Sequence, residues 1–213
     1  MVNCTVAYGI ITLHIIAYSE DDDTARRMAE KEEETIRNIL GDLIYGTQEQ
    51  TLAEVVGEQL IRQKKTVSVA ESCTAGLVAK LLTDVPGSSR YFTHGWITYS
   101  NIAKTGELGV AAEVIEKYGA VSEQVSKAMA SCARKKAQSD YAIGITGIAG
   151  PDGGTEQKPV GLVYISVDSD NGCDTKYCYF SHDRRSVRLR AAQTALNMLR
   201  LKLTKYPGDG IIV

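Results

Sequence analysis

Apolar and polar positions change period several times along this chain, and each change marks an element. From Cys4 to Tyr18 β-branched and other apolar residues alternate with Tyr8, Thr12 and His14, which predicts strand structure folded as a hairpin with Gly9 at the turn. Between Glu20 and Glu34 stand eight acidic and three basic residues, relieved only by Ala25, Met28 and Ala29 before Ile36, Ile39 and Leu40. That spacing predicts a solvated amphipathic helix ending at Gly41. Its acidic face reads either as a helix surface in water, with acids at the favourable N-terminus, or as a docking surface. Residues 1–46 are thus expected to form a small β–α appendage, with the boundary at Gly46-Thr47-Gln48.

From Leu52 the period becomes helical: Leu52, Val55, Val56, Leu60 and Ile61 share a stripe, and Thr51 is placed to cap it. Thr66-Val67-Ser68-Val69-Ala70 reads as a buried strand, which runs through Glu71-Ser72-Cys73-Thr74 into a helix carrying Leu77, Val78, Leu81 and Leu82. Pro86-Gly87-Ser88-Ser89 breaks the chain. His94 to Tyr99 reads as a second strand, and Ala111 to Tyr118 and Ser122 to Gln138 as helices. Tyr141 to Thr146, Gly161 to Asp168 and Thr175 to Phe180 read as strands, and Arg184 to Leu203 as a closing helix with Ala192, Ala195, Leu196 and Leu199 inward. Helices alternate with strands early, whereas short turns separate the last strands. The expected fold class is therefore α/β: a mixed, partly parallel sheet covered by helices, with an antiparallel end and the small β–α appendage in front. Residues 47–213 make the main domain.

Composition narrows the functional classes. The 213 residues, 44% hydrophobic and 23% charged, can bury a self-supporting core. A formal net charge of −2 gives no global basis for nucleic-acid binding, so any anion site must be local. Five cysteines without a CxxC pair argue against a disulfide framework or a zinc ribbon and for a reducing cytoplasm. No run approaches the ~18 apolar residues of a membrane span. The three histidines and the carboxylates show no ligand spacing on one element, so neither a metal nor a cofactor is expected.

Four places hold candidate chemistry. Ala70 to Gly76 puts small polar side chains where a strand meets a helix, so Ser72 reads either as a helix cap or as a nucleophile with the Cys73 and Thr74 amides as oxyanion donors. Cys73 is either a small buried residue or a rival nucleophile activated by the helix start. No histidine stands at a motif spacing to Ser72. Lys104, on the turn or helix after a strand, is either a surface lysine or a base kept neutral by burial. Thr146 to Thr155 is rich in glycine, which lets backbone approach a ligand, yet it is neither GxGxxG nor a P-loop. Arg184 is either a helix-start surface residue or a phosphate clamp.

Taken together, Val69 to Gly76, Asp84-Val85-Pro86-Gly87-Ser88-Ser89, Ile97 to Lys104, Gly119-Ala120-Val121-Ser122 and Gly144 to Gly154 resemble, in order and spacing, the C-terminal domain of the CinA (competence/damage-inducible) family. The resemblance implies a nicotinamide-nucleotide amidase, which takes nicotinamide mononucleotide and water to nicotinate mononucleotide and ammonia, and it implies a homodimer. It casts Ser72 as nucleophile, Lys104 as base with Tyr99 relaying or positioning, and Cys73 and Thr74 as the oxyanion site. Glu71, Asn101, Thr146, Gly147, Gly150 and Arg184 are expected to bind the pyridine nucleotide. The rival is a non-catalytic nucleotide-binding or regulatory module with the same pocket. Residues 1–46 resemble the tail of the linker domain of longer CinA proteins, whose large N-terminal domain has no counterpart in this sequence. Two positions depart from the family pattern: Thr-Gly-Gly reads Thr74-Ala75-Gly76, and Gly-Asp-Arg reads His182-Asp183-Arg184. If position 75 needs a positive φ, its methyl group carries a cost.

Overall fold

The computed structural model describes residues 1–47, 50–181 and 183–205, so Gln48 of the expected boundary and His182 of the departing motif lie outside the described residues. The chain divides into two compact units, Met1–Glu49 and Gln50–Val213.

In the first unit β1 (Val2–Ala7) and β2 (Ile10–Ile15) pair antiparallel with Val2 opposite Ile15. Tyr8 and Gly9, at φ 48° and 88°, make the two-residue turn whose positive φ values match strand twist. Helix α1 (Asp22–Leu40) starts where the Asp21 side chain accepts from the Thr24 amide, and it stops at Gly41 with φ 49°. None of the described residues of this unit is buried.

The second unit carries the core. Helix α2 (Leu52–Arg62) is capped reciprocally, Thr51 bonding the Glu54 amide while the Glu54 carboxylate bonds back to the Thr51 amide. It is followed by β3 (Val67–Glu71), α3 (Leu77–Thr83) and β4 (Phe92–Ile97). A short helix α4 (Asn101–Ala103) runs into a π-helical turn at Lys104–Leu108, and α5 (Ala112–Tyr118) and α6 (Glu123–Ala137) follow. β5 (Tyr141–Gly147), β6 (Leu162–Ser169) and β7 (Gly172–Tyr179) lead to α7 (Arg184–Lys205). The five strands form one mixed sheet in the order β4-β3-β5-β6-β7. The first three are parallel, and β6 and β7 are added antiparallel.

Strands β3, β5 and β6 are buried almost throughout, as strands covered on both faces must be. Ala70 and Ala142 meet Val125, Met129 and Ala133 of α6 on one face. Alternation sends Val69, Ile143, Ile145 and Ile165 to the other face, where α7 lies with Ala192, Ala195, Leu196 and Leu199 fully buried. Gly144 allows the close approach of α6, because a Cβ there would stand 2.3 Å from the Ser126 carbonyl oxygen and 2.5 Å from the Ala130 nitrogen. A polar chain of Ser126, Ser166 and Thr175 hydroxyls, each 2.8 Å from the next, crosses the same interface with its groups satisfied.

Three expectations change in detail. The strand expected over His94–Tyr99 runs from Phe92 to Ile97, because Phe92 already pairs with Val67 and the chain leaves the sheet after Ile97. The last strand begins at Gly172 rather than Thr175, since the β6–β7 hairpin is paired down to Ser169 opposite Gly172. The helix expected to open at Ser72–Thr74 begins only at Leu77. The Ser72 amide still bonds the Ile145 carbonyl as part of the sheet, and Ala75 and Gly76, at φ 51° and 88°, reverse the chain before a helix can start.

Candidate active site

The carboxyl ends of the three parallel strands converge on one cleft of about 190 Å³, the usual place for a ligand in such a sheet. Ser72 follows β3 directly. Thr98 and Tyr99 follow β4, Thr146 and Gly147 end β5, Lys104 comes in from the helical turn, and Arg184 opens α7. Of the expected residues, Ser72, Cys73, Tyr99, Asn101, Lys104, Thr146, Gly147 and Arg184 line the cleft, with Ala120, Val121 and Ala149 beside them.

Lys104 is buried, 1% exposed, and its Nζ sits 3.2 Å from Ser72 Oγ, 2.9 Å from the Thr98 carbonyl oxygen and 3.3 Å from that of Tyr99. Burial holds its pKa below the ordinary lysine range, because desolvation penalises the ammonium more than the amine. A neutral amine has two N–H groups and one lone pair. Nζ donates to all three oxygens, and the lowered pKa eases the loss of one proton, which would leave a lone pair towards Ser72 Oγ. Cys73 lies alongside, but burial pushes its thiol up to about 12, so it stays protonated and a poor nucleophile.

The turn after Ser72 supplies the donors. The Ser72 carbonyl accepts from Ala75 N–H, whereas the Cys73 and Thr74 amides have no hydrogen-bond acceptor on another of the described residues. They are turn amides rather than helix N-terminal ones. The helix start is already occupied: the Glu71 carboxylate, fully buried, accepts from the Val78 and Ala79 amides at 3.2 and 2.9 Å. Glu71 therefore caps α3 and is not among the residues that line the cleft. Thr74 and Gly150 are likewise not among the residues that line it.

Tyr99 meets the site at two points. Its backbone carbonyl meets Lys104, while its half-exposed ring carries a hydroxyl that accepts from Arg184 Nη2 at 3.0 Å. Arg184 Nη1 donates to the Gly150 carbonyl at 2.8 Å, so Arg184 ties the glycine-rich loop to the β4 end across the cleft rim. Thr146 Oγ1 donates to the Ala120 carbonyl at 2.7 Å and holds the Ala120-Val121 wall. Ser122 fixes the same segment from the other side, donating to the Gly119 carbonyl and accepting from the Val125 amide. Sequence reasoning missed Thr98, whose contribution is a carbonyl, and Arg188, which bonds the Cys73 and Thr74 carbonyls; for Arg188 the available signal was its position four residues after Arg184 on one helix.

No group of three or more His, Cys, Asp or Glu among the described residues is arranged to hold a metal ion, and no described helix is long and apolar enough to cross a membrane.

The "Putative competence-damage inducible protein" of Caldicellulosiruptor saccharolyticus is 47% identical over 196 residues, 92% of this chain and 48% of its own length. The protein of that name from Clostridium beijerinckii is 47% identical over 195 residues, with the same coverage. The chain thus spans about half the length of these curated relatives. Among solved structures, competence damage-inducible protein A (ComA) from Klebsiella pneumoniae superposes with a TM-score of 0.71 at 33% identity, covering 73% of this chain and 96% of the other. The competence/damage inducible protein CihA from Agrobacterium tumefaciens gives 0.66 at 37% identity, covering 75% and 99%. The model of the CinA C-terminal domain matches residues 49–203, and the chain belongs to that family.

Proposed function

We propose that the unit Gln50–Val213 is a cytoplasmic amidase that hydrolyses the carboxamide of nicotinamide mononucleotide, giving nicotinate mononucleotide and ammonia. The observation that carries this reading is the buried amine of Lys104, 3.2 Å from Ser72 Oγ. Lys104 takes the hydroxyl proton as Ser72 Oγ attacks the carboxamide carbon. The Cys73 and Thr74 amides receive the oxyanion. Collapse of the tetrahedral species breaks the C–N bond, and Lys104 returns the proton to the leaving nitrogen, which departs as ammonia. Water, deprotonated by the same amine, then attacks the nicotinoyl ester and releases the acid and Ser72. Arg184 and the glycine-rich loop are assigned to ribose and phosphate, which provide orientation that free nicotinamide lacks.

The test is ammonia release by the purified protein from nicotinamide mononucleotide, with nicotinamide and NAD as controls and Ser72→Ala in parallel. Release confined to the mononucleotide and lost in the variant supports the reading. Binding of the mononucleotide without ammonia would replace the amidase with a nucleotide-binding module. Met1–Glu49 is read as part of a linker domain, and the enzyme as a homodimer; a monomer mass by light scattering would refute the latter.

A further inference from the structure

The turn that follows Ser72 has two amides, those of Cys73 and Thr74, that find no acceptor on another of the described residues, and each must be held in direction by something other than such a bond. A trans peptide is planar, with its C=O and N–H pointing opposite ways, so fixing the carbonyl fixes the amide of the next residue. The Ser72 carbonyl is held by Ala75 N–H, at 3.1 Å, and this sets the Cys73 amide. Among the described residues the Cys73 carbonyl is held by Arg188, Nε donating at 3.1 Å, and this sets the Thr74 amide. Arg188 Nη2 reaches the next carbonyl, that of Thr74, at 2.8 Å, which also accepts from Leu77 N–H at 3.3 Å.

Arg188 is partly buried, reaches the turn from α7 and does not line the cleft. Its guanidinium fork spans two successive carbonyls, a geometry that one ammonium cannot reproduce. A cation on the carbonyl side of a peptide also polarises it, which strengthens the N–H on the far side as a donor. We propose that Arg188 is a positioning residue for the oxyanion site: it acts through the Cys73–Thr74 peptide, aligning and polarising the Thr74 amide, and makes no contact with substrate. This inference rests on the serine acyl-transfer reading above.

The role has a kinetic signature. An amide that meets charge only in the transition state affects kcat and leaves ground-state binding alone. Steady-state ammonia release from nicotinamide mononucleotide is measured for wild type, Ser72→Ala, Arg188→Lys and Arg188→Leu, with circular dichroism and a melting curve for each. For both Arg188 variants kcat is expected to fall roughly 10- to 100-fold at near-constant KM, short of the ~10²–10³-fold loss from removing an oxyanion donor outright. Arg188→Lys, which keeps the charge, serves if Arg188→Leu does not fold, and it should not restore kcat. Added guanidinium should recover part of the activity of Arg188→Leu, and this recovery is not expected of a variant that is merely less stable. A rise in KM at unchanged kcat would make Arg188 a binding residue and overturn the inference while leaving the amidase intact. So would full kcat in either folded variant. A silent wild type, or a fully active Ser72→Ala, would instead remove the acyl-transfer reading itself.

Discussion

Lys104 Nζ meets Ser72 Oγ at 3.2 Å across 32 positions of sequence, and its other two contacts are the carbonyls of Thr98 and Tyr99. Nζ donates to all three oxygens, so loss of the proton it shares with Ser72 would leave the base facing the serine. Burial lowers the Lys104 pKa. Turnover should accordingly rise with pH along a limb centred below the ~10.4 of an ordinary lysine. Lys104→Met is expected to cost roughly 10²–10⁴-fold in kcat, the range for losing general-base catalysis. Stability has a sign of its own. With the folded pKa below the unfolded one, the folded protein holds fewer protons between the two values, so wild-type stability rises with pH across that window. Melting curves of wild type and Lys104→Met should hence diverge in favour of the variant as pH falls from about 10.4 towards neutrality. Parallel curves would show that Lys104 is not destabilised by its burial.

Ala75 occupies φ 51°, in the left-handed region where a Cβ is strained. Relief of that strain is worth ~1–2 kcal/mol, against about 0.5–1 kcal/mol for the greater chain entropy of glycine. Ala75→Gly should therefore stabilise by about 0.5–1 kcal/mol. The readout is a higher urea midpoint at unchanged m-value. A lower midpoint would mean that the turn relaxes around the methyl group.

Glu71 gives its carboxylate to the Val78 and Ala79 amides. Glu71→Gln keeps one acceptor oxygen and should lose roughly 1 kcal/mol of stability, the scale of a lost helix cap, with KM unchanged. A KM that rises while stability holds would return Glu71 to the substrate.

Arg184 has one nitrogen on the Gly150 carbonyl and another on Tyr99 Oη at the rim of the cleft. If its charge serves the phosphate, Arg184→Gln should raise KM for the mononucleotide by about 10- to 100-fold, the worth of a charged hydrogen bond. Turnover of the nucleoside lacking the phosphate should change little. Equal losses on both substrates would assign Arg184 to the architecture of the loop instead.

Local features were legible in the residues themselves. The helical stripe from Leu52, the Thr51 cap, the inward face of α7 and the Tyr8-Gly9 hairpin turn all follow from periodicity and backbone preference, which act within a few residues of chain. The ordered motifs carried the family resemblance and so identified Ser72 and Lys104 as candidates together. Nothing in spacing could show that Lys104 is buried or that its amine is aligned. Both depend on β4 pairing with β3 in a register that brings the Thr98 and Tyr99 carbonyls to the end of Ser72's strand.

Glu71 and Arg188 mark the limit in the other direction. A carboxylate beside a candidate nucleophile reads as chemistry, but the start of α3 at Leu77, later than expected, leaves two amides that this carboxylate satisfies. An arginine inside a predicted helix reads as surface until α7 is laid against the Ser72 turn. Periodicity, capping residues and turn residues settled the elements and their order, because those energies are local. Which groups face each other across the cleft was settled only by tertiary packing, because the burial that shifts Lys104 and the carbonyls that orient it are contributed by segments brought together by the sheet.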